Sequence, residues 1–295
     1  RHRGRADVEH VLLVLARESG REDHSRELVE IGVEHDLPVY RVTGLLNQAS
    51  NAAAANDPAT MRRVTEEALA LAHTYRMPEA TGAAEIALAT LVLIEGRFAD
   101  AERLYVEATE RMERAGSVHA AGFLRLALAA IWINDGTLGD HLDEVRDMHA
   151  ALGPMVADLL ALALHAAGRG DEAYRARTPP SSIRPDFFFT FLTSLRAMAA
   201  VASNDRDAAE QIYADLLPHR DGPPAGAESV SLAVRPVAHT LGELAHLLGR
   251  DGEAAAHFAQ AAVIADRWNA PTWSEDARTR ADRVLGGQVS SSQQR

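Results

Sequence analysis

Two copies of one short pattern constrain this chain more than anything else in it. The first reads Glu95-Gly96-Arg97-Phe98-Ala99-Asp100-Ala101-Glu102, followed by Leu104-Tyr105 and Ala108. The second reads Leu241-Gly242 and Ala245, then Gly249-Arg250-Asp251-Gly252-Glu253-Ala254, Phe258 and Ala261. In both, a Gly-led turn precedes an Ala, an aromatic follows that Ala by four residues, and another Ala follows it by seven. Spacings of four and seven share one helical face, and Gly ends a helix in the left-handed conformation that other residues resist. The pattern therefore describes a helix–turn–helix hairpin. Its Ala marks a close helix crossing, and its aromatic fills the gap to the next hairpin.

Weaker copies of the turn occur at Ser19-Gly20, Asn56-Asp57-Pro58, Asn134-Asp135-Gly136, Gly168-Arg169-Gly170-Asp171-Glu172-Ala173 and Asn204-Asp205-Arg206. Counted through Gly20, Asn56, Gly96, Asp135, Gly168, Asn204 and Gly249, the steps are 36, 40, 39, 33, 36 and 45 residues. Tetratricopeptide repeats run about 34 residues, and longer helices lengthen the unit. The expectation is an all-α, right-handed superhelical solenoid of about seven tetratricopeptide-like helical hairpins, a single domain over residues 1–285. Thr178-Pro179-Pro180 to Arg184-Pro185 and the loop His219–Gly226 are the two places (near 178–186 or 219–228) where it would break. The linker-like tail 286–295 is expected to be disordered.

Composition agrees and removes several functions. Ala dominates an apolar fraction of 47%, while aromatics make up only 5%; Ala favours helices, whereas strands want β-branched and aromatic residues. All 30 basic residues are Arg, and neither Lys nor Cys occurs. That leaves no phosphate-loop Lys, Schiff-base Lys, Ser-x-x-Lys or thiol nucleophile, and no thiolate metal site. A formal charge of −12 repels phosphate, so direct nucleic-acid binding is not expected. The longest uncharged apolar stretches, such as Ile86–Ile94 and Phe187–Leu195, reach about half a bilayer span, so neither a membrane segment nor membrane binding is expected. A cytoplasmic location fits these features, and the opening Arg1-His2-Arg3-Gly4-Arg5 reads as the start of a piece of a longer protein.

No Gly-rich phosphate loop, Gly-x-Ser-x-Gly elbow or His-Glu-x-x-His helix is present, so neither catalysis nor a cofactor is expected. The candidate site residues are binding residues. His239, Glu243 and His246 fall at i, i+4 and i+7, opposite Leu241, Leu244, Ala245 and Leu248, which must be the packed side. That face suits an exposed groove contact to a ligand, a peptide or a divalent metal, or an ordinary polar surface. Arg125 and Trp132 share a face opposite Phe123, Ala127, Ala130 and Ile131; an Arg beside a Trp grips anionic or aromatic groups, and a structural Trp with a snorkelling Arg has the same pattern. Arg196, in an otherwise apolar helix, and His165 are fainter candidates. Phe187-Phe188-Phe189 and Phe191 read most simply as core.

A family resemblance follows from the ordered set of segments. Asp57-Pro58-Ala59, Glu67–Ala72 and Glu95–Glu102, then Arg184-Pro185-Asp186-Phe187, Ala208–Pro218, Leu241–Ala261 and Asn269-Ala270-Pro271 resemble the C-terminal helical region of large bacterial signal-transduction ATPases. The all-Arg, Ala-rich composition is similar to that of actinobacterial members. The resemblance covers most of residues 50–285 and only weakly the first 50. It implies a sensory repeat region that binds a protein or small-molecule inducer in its groove. It further implies an attached ATPase module and an effector, either a LuxR-type or antibiotic-regulator-type DNA-binding domain or a nucleotide cyclase. A free-standing scaffold holding a protein partner is the rival.

Overall fold

Three-residue links set the architecture. In the computed structural model, which describes residues 21–177 and 183–292, a left-handed residue recurs every twenty positions: Asp36, Asn56, Arg76, Gly96, Gly116 and Gly136. Around Asn56, the Asn56 N–H donates to Ala53 O (2.9 Å) and the Asp57 N–H to Ala52 O (2.8 Å). These bonds satisfy carbonyls that the helix end leaves open. After all of these but Gly116 the next helical turn starts two residues on, with Pro38, Pro58 and Pro78 in the first turn of three helices. Proline lacks only an N–H that this position would leave unpaired.

The helices are α1 (Arg21–Glu34), α2 (Pro38–Ala54), α3 (Pro58–Thr74), α4 (Pro78–Ile94), α5 (Phe98–Arg114), α6 (Ala120–Asp135), α7 (Leu142–Leu152), α8 (Ala157–Ala166), α9 (Gly170–Ala176), α10 (Phe189–Ala202), α11 (Arg206–Leu216), α12 (Val237–Leu247), α13 (Asp251–Arg267) and α14 (Pro271–Ser292). Helices α2 to α5 are each 17 residues long. Most sequence neighbours pack on one another along the chain, α6 with α7 and α9 with α10 being exceptions. The short α9 pairs with α8 and ends before the Pro-rich stretch, so that α10 also packs directly on α8. Among the described residues there is no strand, only an isolated antiparallel bridge between Pro224 and Pro236. The chain is all-helical, as its composition requires.

The repeated motif packs as its spacing demands. Ala101, Ala108, Ala254 and Ala261 are fully or almost fully buried, and so are Tyr105 and Phe258 four residues after the leading Ala. Phe258 lies so close to Gly242 that a Cβ there would stand 2.7 Å from its ring. Phe191 is core, while Phe187, Phe188 and Phe189 are half-buried.

Two expectations change. The unit in the first half is forty residues, two 20-residue helix-plus-link steps, rather than the uneven steps counted from the stronger turns. Helix α14 continues through Gly286 to Ser292, where a disordered tail was expected from Gly286. The stretch Leu138–Ala166 is helical throughout and has the length and composition to cross a membrane. It consists of a 3-10 turn at Leu138–His141, then α7 and α8 joined by a second 3-10 turn at Gly153–Val156, and Val145, Met148, Val156, Leu159 and Ala163 from it lie in the protein core. The turn at Ser19-Gly20 and residues 178–182 of the Pro-rich break lie outside the described residues.

Candidate functional site

The connection between α11 and α12 is not a surface loop. Residues 221–236 form a finger closed at its base by Ala225 N–H donating to Arg235 O (3.3 Å) and Val234 N–H donating to Ala225 O (2.9 Å). Pro223, Pro224, Ala225, Gly226, Ala227, Leu232, Ala233 and Val234 are buried. The finger crosses one side of the array, and polar side chains of α2, α4, α6 and α10 grip its backbone. Ser50 of α2 donates to Glu228 O (2.6 Å) and Asn134 of α6 to Ala233 O (3.0 Å), while Thr190 of α10 accepts from Gly226 N–H (3.2 Å). From the α2–α3 link, Asn56 donates to Asp221 O (3.2 Å). On α4, Thr90 Oγ1 is 2.8 Å from Tyr105 Oη, and Ile86 O (3.0 Å) and Val230 O (3.2 Å) compete for its single proton. Burial of the Tyr105 phenol pushes its pKa up, so it remains a donor.

The link between α13 and α14, with the first turn of α14, closes onto the same residues. Trp268 Nε1–H donates to Asn56 Oδ1, and Trp273 Nε1–H to Asn134 Oδ1 (3.2 Å). Thr272 sits where a Cβ on Gly96 would come within 2.9 Å of its hydroxyl. Each asparagine thus joins the finger to the last helix pair.

Between α6, α8, α10, α12, α14 and the finger's base lies a cavity of about 560 Å³. Trp132, Leu138, Leu162, Met198 and Trp273 give it apolar walls, and Arg235, Glu243, Asp276 and His165 are its charged and titratable groups. One face of Trp132 is covered by the His141 ring, stacked at 4.0 Å. The polar wall is a chain of pairs. Arg235 lies 2.5 Å from Glu243 Oε2, Arg280 lies 3.1 Å from Glu243 Oε1 and 3.0 Å from Asp276 Oδ2, and His239 Nε2 is 2.7 Å from that same oxygen. A second hollow of about 480 Å³, lined by His246, Phe258, Arg280 and Arg283, lies beyond Glu243, which borders both.

Burial, helped by nearby Arg235, holds the His239 imidazole below its ordinary pKa. Its Nδ1 has no partner, which fits a neutral ring with its proton on Nε2, donated to Asp276. That hydrogen bond, with Arg280 beside it, holds the Asp276 carboxyl well below the usual carboxylate range.

The seven candidate residues divide. Trp132, His165 and Glu243 come from three helices and line the one cavity. His239 was expected on an exposed face and is instead 1% exposed, because α14 covers it and supplies Asp276. Trp132, read as half of a grip with Arg125, is only 8% exposed. His246 is exposed, with Nδ1 2.8 Å from Asp251. His239, Glu243 and His246 therefore take three separate sets of partners rather than converging on one ion. Among the described residues no group of His, Asp or Glu is arranged to hold a metal. Arg196 forms a largely buried ion pair with Asp158 of α8 (3.2 Å), a packing role between helices. Arg125 is exposed and outside the cavity lining. Asn56, Asn134, Arg235, Trp273 and Asp276 were not among the candidates; the first two carried only a turn signal.

Comparison with protein-family models found no match, and comparison with curated proteins found none either.

Proposed function

We propose that this chain is the sensory and interaction region of a bacterial, actinobacterial-type transcriptional regulator of the ATP-dependent kind. In this reading it is a right-handed superhelical solenoid of about seven tetratricopeptide-like hairpins, working in the cytoplasm beside an ATPase and an effector module. It detects a small, largely apolar inducer and catalyses nothing itself. The observation that carries the sensing role is the cavity of about 560 Å³, within the usual size range of small-molecule sites and similarly built, with apolar walls and few polar groups. Ligand occupancy would bias helices α6, α8, α10, α12 and α14 together, and with them the attached switch. The scaffold alternative calls for a face open to a partner peptide, and the finger lying across alternate helices favours the small-molecule reading.

Tryptophan fluorescence tests this directly, since Trp132 and Trp273 line the cavity. A panel of small amphipathic aromatic compounds is expected to include some that saturate a single site. Their affinity should fall at least about tenfold in Ala202→Phe, which fills part of the cavity. Equal binding to both chains, or no binding across the panel, would count against the site.

A further inference from the structure

We propose that the side of the array formed by α2, α4, α6 and α10 is a recognition surface for the backbone of a compact peptide loop, and that the chain's own 221–236 finger, which turns through left-handed Gly226 and Val230 and a 3-10 turn at Ala227–Ser229, is the peptide seated on it in cis. The contacts have the character of peptide recognition. Ser50, Asn134 and Thr190 address carbonyl and amide groups of the finger, not its side chains. Backbone bonding supplies the hold, and small pockets select the side chains. The finger matches such a surface through its small residues, Pro-Pro-Ala-Gly-Ala at 223–227. At Gly226 (φ +91°) a Cβ would meet Leu232 Cδ1 at 2.6 Å and Phe191 Cβ at 3.2 Å, so only glycine fits.

Two further observations mark the finger as a seated unit. It closes on itself at Ala225, Val234 and Arg235, so its ends stand side by side and its tip contributes nothing to chain continuity. At the tip, Val230 has φ 52°, a left-handed conformation that a β-branched residue adopts only when its surroundings impose it. A tethered occupant acts at an effective concentration of roughly millimolar and so keeps other peptides of this kind off the face. The surface adjoins the cavity at Asn134 and Arg235, but peptide binding reads the one and ligand quenching of tryptophan reads the other, so the two readings can fail separately.

Native-state hydrogen exchange on the full chain is the first test. The Gly226 and Val234 amides are expected to exchange through a local opening, faster than the amides of α12 and α13; exchange only in step with those helices overturns the proposal. The second test replaces residues 225–234 with a short glycine turn between Pro224 and Arg235, which keeps the Arg235–Glu243 pair. A synthetic peptide spanning 223–236 is expected to bind this shortened chain at least about tenfold more tightly than the full chain. If the shortened chain does not fold alone, the peptide is expected to restore its helical circular dichroism in trans. A peptide that does neither, or that binds both chains equally, overturns the assignment.

Discussion

The amide of Asn56 offers a donor and an acceptor in one plane, and both are used. Its Nδ2 reaches the Asp221 carbonyl and its Oδ1 accepts from the Trp268 indole. The indole only donates and the carbonyl only accepts, so the orientation of the amide is fixed by chemistry. Its backbone sits at φ 62°, which asparagine tolerates better than most residues. Asn56→Ala removes both bonds, leaves a buried indole N–H unpaired and adds left-handed strain, for an expected loss of roughly 2–4 kcal/mol in urea unfolding. Asn56→Gly should recover only the strain, about 1 kcal/mol; a glycine variant as stable as wild type would mean the two hydrogen bonds contribute nothing. His239 makes a second prediction. Its folded pKa is lowered by burial, so below about pH 6.5 the unfolded chain binds a proton that the folded chain refuses. Stability should therefore be full above that pH and fall as pH drops, until the folded ring itself protonates. His257 is shifted the same way by partial burial and adds a smaller slope. Asp276, Arg235 and Glu243 face His239, and Asp276, held well below the usual carboxylate range, stays ionised across this window. His239→Gln, which still offers a donor to Asp276, should flatten most of the pH dependence of the melting temperature between about pH 6.5 and 5. An unchanged slope would place the effect elsewhere.

At the scale of the helix and its link, two different sequence devices make one turn. Gly96, Gly136, Gly168 and Gly249 accept the left-handed conformation without a following proline. Asp36, Asn56, Arg76 and Asn269 occupy the same position but have Pro two residues on. Either device ends one helix and starts the next. The Gly turns were legible in the sequence, and so was the Ala–aromatic–Ala face, because each depends on residues a few positions apart. The twenty-residue step was not, because Asp36 and Arg76 are ordinary surface residues and nothing in their identity marks the left-handed conformation they adopt. The candidate site was legible in the same limited sense. A helical face places Glu243 beside His239, but nothing local to α12 announces that α14 will bring Asp276 and Arg280 against them, or that a proline-rich loop will turn inward. Packing at the motif gives a prediction of its own. Gly242→Ala should overpack against Phe258 and cost roughly 1–3 kcal/mol, as should Ala101→Leu in the first copy. In the double variant Gly242→Ala/Phe258→Leu, the smaller side chain should relieve part of that cost, giving a coupling energy of about 0.5 kcal/mol or more. Strict additivity in a double-mutant cycle would disprove the contact.

Taken whole, the molecule is held by sequence-distant contacts that a string of helical hairpins does not require. Neighbour-on-neighbour packing would leave α2 and α14 to act independently. Here the α13–α14 link touches the α2–α3 link at Asn56, and the first turn of α14 touches the α4–α5 link at Gly96 and the end of α6 at Asn134, while the finger runs between them. Such closure makes distant parts unfold together, and it gives an occupied cavity beside Trp273 a route to the opposite end of the array. Trp268→Phe and Trp273→Phe test the coupling with little change in bulk. Each deletes one indole donor and leaves an asparagine oxygen unpaired, for an expected cost of about 1–2 kcal/mol. If the link docks as one unit, the first substitution already loosens the other clamp, so the double variant should lose less than the sum of the two by roughly 0.5 kcal/mol or more. The unfolding m-value should fall as well, because a loosened end exposes less new surface in the main transition. Additive costs with an unchanged m-value would show that the clamps hold separately and that the array behaves as a linear stack.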